Sequence, residues 1–336
     1  MKPSRTHSDG GVTCRKGIVY AHRARPDGGH TELRLDVYRP ETSANVPAVV
    51  WLHGGGWFTG DRTLAPDLAV RVRATGCALA TVDYRLSGEA IFPAQLHDVR
   101  AAIRFLRGSA AELGLDAERV GLWGASAGGH LAALAALTGR VTQLPGEPDA
   151  GDASVRAVAE SYAPVDLAGV VAAAEARLPG ADGASTPEAR LLGGHPTGRP
   201  ELAAQASPLN WIGTARQGSP AFQISHGTGD VLVPCEQSKK FHEALVAAGY
   251  DSELFLVDDY RHGFLNPAGR MDVNVRAVMD DGRLAAAGKA PASRVVGAGN
   301  SFRGTFGFAD IDTFFARQLS TIAPARDSGS PSGEKS

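Results

Sequence analysis

The chain has 336 residues, a formal net charge of −2, 43% hydrophobic residues and 21% charged ones. That balance is ordinary for a globular protein able to bury a sizeable core. It gives no electrostatic reason to expect nucleic acid or an acidic membrane surface as a partner. The three cysteines, Cys14, Cys77 and Cys235, are too few and too scattered for a disulfide framework or a zinc site. The N-terminus is basic but lacks an apolar h-region, and no apolar run approaches the roughly 18 residues that span a bilayer. A cytoplasmic protein without membrane contact is the expectation.

Residues 1–16 are polar, Gly-containing and aperiodic, and read as a flexible tail. Gly17–Ala24 and Thr31–Tyr38 read as two strands joined through the turn-rich stretch 25–30, an antiparallel hairpin. Pro47–Leu52 is a short apolar run without alternation, which suits a strand covered on both faces. A helix over Ala65–Thr75 ends at Gly76, and Cys77–Val82 forms the next strand. Pro93 opens a helix whose apolar face is Leu96, Val99, Ile103 and Leu106, and Gly108 closes it. Arg119–Trp123 is a strand and Ala127–Leu137 a helix. Further strands are expected at Val155–Tyr162, Ala221–Ser225 and Ser252–Val257, with a helix at Glu236–Ala248 between the last two.

This alternation implies an α/β domain over residues 17–322: a mostly parallel central sheet, helices on both faces and an antiparallel hairpin at its start. In such sheets ligands bind beyond the carboxyl ends of the strands. Residues 166–215 interrupt the alternation and read as a small cap insertion. Residues 266–308 form a second insertion, a candidate lid or dimer arm beside the loop that follows the last sheet strand. The polar, low-complexity residues 323–336 are expected to be disordered.

The strongest local motif is Gly124-Ala-Ser-Ala-Gly128, placed directly between a strand and a helix. A sharp turn there lifts Ser126 above the sheet, and the following helix aims its positive end at the nucleophile. His53-Gly-Gly-Gly-Trp57 also leaves a strand. Its glycines let backbone amides approach a substrate oxygen, so Gly54, Gly55 and Gly56, together with the amide of Ala127, are the candidate oxyanion hole. A nucleophilic serine needs a base, and the base an orienting acid. His262, after the strand 252–257, is the candidate base. Asp230, after the strand 221–225, is the candidate acid, with Asp258 and Asp259 as alternatives. His130 reads as a packing or hydrogen-bonding residue, His226 as a fixer of the turn after it, and His97 and Asp98 as capping and surface residues. No histidine has a partner at metal-ligand spacing, so neither metal nor cofactor is expected.

Taken together, HGGGW at 53–57, VDYRL at 82–86, FPAQLHDVRAAIRFLR at 92–107, GASAGGH at 124–130, SPLNW at 207–211, HGTGDVLVP at 226–234 and HGF at 262–264 resemble the bacterial esterase/lipase group of the α/β-hydrolase superfamily. That group includes hormone-sensitive-lipase-like carboxylesterases and feruloyl-, acetyl-xylan- and formamidase-type hydrolases. The likeness spans residues 17–265 and a final helix near Asp310–Leu319. It implies Ser126 as nucleophile, Asp230 as acid, His262 as base and a small-molecule ester as substrate, with Tyr84 and Arg85 as a structural pair. The insertion 266–308 departs from the pattern, which passes directly from the His loop to the last helix. Trp57, Phe92, Trp211 and Phe264 are candidate substrate-pocket walls. An amide hydrolase of arylformamidase type, or a tailoring hydrolase or acyltransferase on a bulky metabolite, would use the same machinery. A homodimer is allowed, and a non-catalytic binding protein is disfavoured because every triad candidate is present.

Overall fold

The computed structural model describes residues 6–25, 28–177, 182–269 and 276–320. Its frame is an 11-stranded sheet. The strands are β1 (Thr6–Asp9), β2 (Val12–Ala24), β3 (His30–Pro40), β4 (Val46–Leu52), β5 (Ala78–Val82), β6 (Leu115–Ala125), β7 (Ala157–Ser161), β8 (Ala221–Gly227), β9 (Ser252–Val257), β10 (Ala290–Val296) and β11 (Asn300–Phe306). In space they run β1-β2-β3-β5-β4-β6-β7-β8-β9-β10-β11. Neighbours from β5 through β9 pair in parallel, and antiparallel pairs flank them on both sides. The parallel strands are apolar because helices cover both of their faces: every residue of β5, β7 and β8 is buried.

The helices are α1 (Leu68–Thr75), α2 (Ala94–Gly108), α3 (Ala110–Leu113), α4 (Ala127–Thr138), α5 (Leu167–Arg177), α6 (Pro187–Leu192), α7 (Pro200–Gln205), α8 (Glu236–Ala247), α9 (Arg283–Ala287) and α10 (Phe308–Gln318). On one face α2, α4 and α8 deliver Val99, Ile103, Leu131, Leu134, Phe241 and Leu245 to the larger core cluster. On the other, α1 and α10 deliver Leu68, Val72, Ile311, Phe314 and Phe315. The expected apolar face of α2 is closed to solvent, with Leu96, Val99, Ile103 and Leu106 each at most 1% exposed. The cap consists of α5, α6 and α7 with short 3-10 turns between them. Among the described residues, no helix is long and apolar enough to cross a membrane, and no cluster of three or more His, Cys, Asp or Glu could hold a metal ion.

The structure departs from expectation in several places. Residues 6–16, expected as part of a tail, are paired as strands. Asp9-Gly10-Gly11-Val12 forms a two-residue hairpin turn, with φ of 55° and 79° at its glycines, and Thr6 faces Arg15. α1 begins at Leu68, three residues later than expected, because the Asp67 side chain caps it by accepting the Val70 amide at 3.0 Å. His97 and Asp98 are buried. Asp98 binds the guanidinium groups of Arg23 and Arg85 at 2.8 and 2.7 Å, an interior pairing that the position near a helix start concealed. The second insertion is built into the sheet: β10 pairs with β9, and β11 with β10. The tail 323–336 lies outside the described residues.

One buried group makes the fold sensitive to pH. Glu160, near the end of β7, is 1% exposed; its Oε2 accepts the Ala163 amide at 3.2 Å and its Oε1 has no partner. Burial pushes its carboxyl up to about 8, against a lowering by that single amide. Between its unfolded and folded titration the native state holds the extra proton, so its share of stability falls as pH rises from about 5 to about 8. Thermal melts across that range should show a falling midpoint, and Glu160→Gln, which keeps the neutral shape, should flatten the slope. An identical slope in the variant would contradict this assignment.

Candidate active site

The elbow begins with backbone geometry. Ser126 sits between β6 and α4 at φ 54°, ψ −123°, a conformation an L-residue adopts only when its surroundings impose it. Its amide donates to the Ser161 carbonyl at 2.9 Å, and its carbonyl accepts the His130 amide at 2.9 Å. The flanking glycines are steric requirements. A Cβ on Gly124 would lie 2.3 Å from the Gly128 carbonyl oxygen, and one on Gly128 would lie 2.0 Å from that of Leu52. That second contact sets the elbow against the end of β4, where the glycine loop starts.

Three loops, leaving β6, β8 and β9, then converge. His262 Nε2 is 2.8 Å from Ser126 Oγ, and His262 Nδ1 is 2.6 Å from Asp230 Oδ2. Asp230 Oδ1 accepts the amides of Leu232 and Val233 at 2.9 and 3.0 Å, and His226 Nε2 lies 3.3 Å from Oδ2. Burial alone would raise this carboxyl, yet the charge of His262 and hydrogen bonds from His226 and His262 hold it well below the usual carboxylate range. The alternative acids face elsewhere. Asp258 pairs with Arg303, and Asp259 is exposed, whereas His262 is buried.

In the glycine loop, Gly55 and Gly56 take φ of 108° and 56°. The Gly55 carbonyl accepts the amides of Phe58 and Thr59, both at 3.1 Å, which closes the turn. Among the described residues, the amides of Gly54, Gly55, Gly56 and Ala127 donate to no loop or cap acceptor. His53 is buried; its Nδ1 donates to the Gly54 carbonyl at 2.7 Å and its ring stacks on Tyr84 at 4.3 Å, while Tyr84 Oη donates to the His53 carbonyl at 2.9 Å. Trp57 Nε1 donates to His130 Nδ1 at 3.2 Å, and His130 Nε2 donates to the Ala206 carbonyl at 2.6 Å. Burial, against the raising effect of that carbonyl, pushes His130 down to about 4, so it stays neutral and serves as donor and acceptor at once. One imidazole thereby joins α4, the glycine loop and the cap.

The candidate pocket aromatics are placed as follows. Trp57 and Phe92 are buried in the larger core cluster and Phe264 in the other, where Phe264 packs edge-on against Tyr162, Tyr260 and Phe306. Trp211 is half-buried and donates to the Gln205 carbonyl at 2.7 Å. Three residues near His262 carried no sequence motif. Tyr162, at the end of β7 with φ 43°, meets the His262 ring edge-on at 4.7 Å. Asp280, from the second insertion, accepts the Arg261 amide at 2.7 Å and donates its own amide to the His262 carbonyl at 2.8 Å. Glu188, in the cap, lies within electrostatic reach of His262. The position of Tyr162 at a strand's carboxyl end was a usable signal; the other two lie in segments without periodicity.

The glycine contact offers a direct test. Gly128→Ala should lower stability by at least about 2 kcal/mol through overpacking against backbone, read as a reduced denaturation midpoint. A variant as stable as the wild type would show that the elbow and the end of β4 are not in contact.

The BD-FAE family model matches residues 35–245, a stretch that includes Ser126 and Asp230 and stops before His262. Esterase LipC of Mycobacterium tuberculosis is 31% identical over 264 residues, 73% of this chain and 60% of LipC. The isoprenylcysteine alpha-carbonyl methylesterase ICME of Arabidopsis thaliana is 27% identical, over 74% of this chain and 56% of its own. The chain thus spans somewhat more than half the length of these relatives. Among solved structures, a truncated carbohydrate esterase from gut microbiota superposes with a TM-score of 0.65 at 29% identity, covering 77% of this chain and 92% of that one. Esterase Est2 of Thermogutta terrifontis superposes with a TM-score of 0.57 at 27% identity, covering 81% and 86%. With well over half its length matched by the model and a sheet, elbow and cap of the expected kind, the chain belongs to the BD-FAE family of the α/β-hydrolase superfamily.

Proposed function

We propose that the chain is a serine esterase that hydrolyses a small-molecule carboxylic ester through an acyl-enzyme. The observation that carries this reading is the continuous chain of hydrogen bonds from Asp230 through His262 to Ser126, together with glycine-loop amides that, among the described residues, donate to no loop or cap acceptor. The relatives named esterases support the same chemistry.

In this mechanism His262 Nε2 takes the Ser126 proton as Oγ attacks the ester carbonyl. The oxyanion is held by the amides of the glycine loop and Ala127, at the positive end of α4. His262 then returns the proton to the leaving alcohol, and water repeats the sequence to release the acid. Asp230 stays ionised, fixes the tautomer in which Nδ1 carries the proton, and stabilises the imidazolium. The two amides on its other oxygen keep it from turning away. A reducing, cytoplasmic setting belongs to the same reading, since Cys14, Cys77 and Cys235 are buried free thiols.

A panel of p-nitrophenyl esters of increasing acyl length tests the assignment. Ser126→Ala should lose at least about 10³-fold in kcat on every ester cleaved, and Asp230→Asn about 10⁴-fold by stranding the wrong tautomer. Equal rates for wild type and Ser126→Ala on every ester would overturn it.

A further inference from the structure

α6 is held over the site at both ends. Leu191 and Leu192 are fully buried in the larger core, and the Leu191 carbonyl accepts the Phe92 amide at 2.9 Å. At the other end, a Cβ on Gly56 would come within 3.1 Å of Pro187 Cβ, so the start of α6 rests on the glycine loop. Glu188 stands three and four residues before the two leucines and shares their inward face. It is 6% exposed. Its hydrogen bonds are local, from its own amide and Thr186, and the charge acting on it is that of His262. Among the described residues no Lys or Arg forms an ion pair with it. Among the described residues, the buried carboxylates Asp98 and Glu147 are paired, the first with Arg23 and Arg85 and the second with Arg100 and Arg104; Glu160 also lacks a cation, but it belongs to β7 and not to the segment that rests on the glycine loop.

An unpaired carboxyl held this deep costs stability in the free protein. Burial accordingly pushes it up to about 7, against its local hydrogen bonds and the His262 charge. A group kept at such a cost in the segment that rests on the glycine loop, and within electrostatic reach of His262, is accounted for if its partner arrives with the substrate. Resting on the esterase reading above, we infer that Glu188 is a specificity-determining residue whose carboxyl accepts a hydrogen bond from a hydroxyl carried by the substrate close to the scissile ester. A neutral donor fits better than a cation. His262 becomes positive during acyl transfer, and an ammonium group beside it would oppose that charge. The favoured class is therefore esters of polyols or of hydroxy acids over their plain alkyl counterparts.

The test compares near-isosteric pairs: 2-hydroxyethyl butyrate with propyl butyrate, and ethyl 3-hydroxybutyrate with ethyl butyrate, with butyrylcholine as the cationic arm. Values of kcat/KM are measured for wild type, Glu188→Gln, Glu188→Leu and Ser126→Ala, with thermal melts to check folding. Wild type should favour the hydroxylated member of at least one pair by about tenfold. Glu188→Leu should erase that preference, and Glu188→Gln, which keeps an acceptor oxygen, should fall between. Should the Leu variant not fold, a ratio unmoved in the Gln variant overturns the inference. So does a wild-type ratio near unity in both pairs, a ratio equal in wild type and Glu188→Leu, or a Glu188-dependent preference for butyrylcholine over both hydroxylated esters. Activity surviving in Ser126→Ala would instead remove the parent reading, which separates the two failures.

Discussion

The site is organised around a backbone contact that no side chain can share. The Gly128 Cα faces the carbonyls of Leu52 and His53, with room for a hydrogen and nothing larger. Because β4 and β6 are adjacent and parallel, their two exit loops would meet anyway. The glycine sets how closely. It brings the elbow against the start of the glycine loop. The unfavourable backbone conformation of Ser126 persists because its own amide and carbonyl are tied to β7 and α4.

Burial decides the charge states around that contact. Asp230 remains ionised because four donors, two amides and two imidazoles, outweigh its desolvation. His130 goes the other way: with no acid beside it, burial keeps it neutral, and neutrality lets one ring nitrogen accept while the other donates. Two histidines on one face of the molecule thus have opposite tasks, one suited to carrying a proton and one to linking three segments. The difference lies in what each faces.

Much of this was legible in the chain. The parallel strands betray themselves as unbroken apolar runs, since they are covered twice, and α2 through its periodic Leu96, Val99, Ile103 and Leu106. Ser126, Asp230 and His262 were identifiable because each follows a recognisable strand end, and the topology then brings those ends to one edge. What escaped were interactions between segments without period. Asp280 and Glu188 sit in insertions where no pattern marks them. Asp98 looks like an ordinary acid near a helix start until Arg23, 75 residues earlier, folds across it. The strand β1 was hidden by its polar residues, although the Gly10-Gly11 pair was a turn signal.

The way the second insertion is woven in has a further implication. β10 occupies the edge that β9 would otherwise present to solvent, and Asp280 from the same excursion grips Arg261, immediately before His262. Protein engineers trimming this excursion to a minimal scaffold would therefore undo two things together. They would slacken the mooring of the residue proposed to shuttle the proton, and they would bare a row of unsatisfied amides and carbonyls that invites self-association. Redesign of this scaffold is safer at the rim of the hairpin, around exposed Phe302, than at its root.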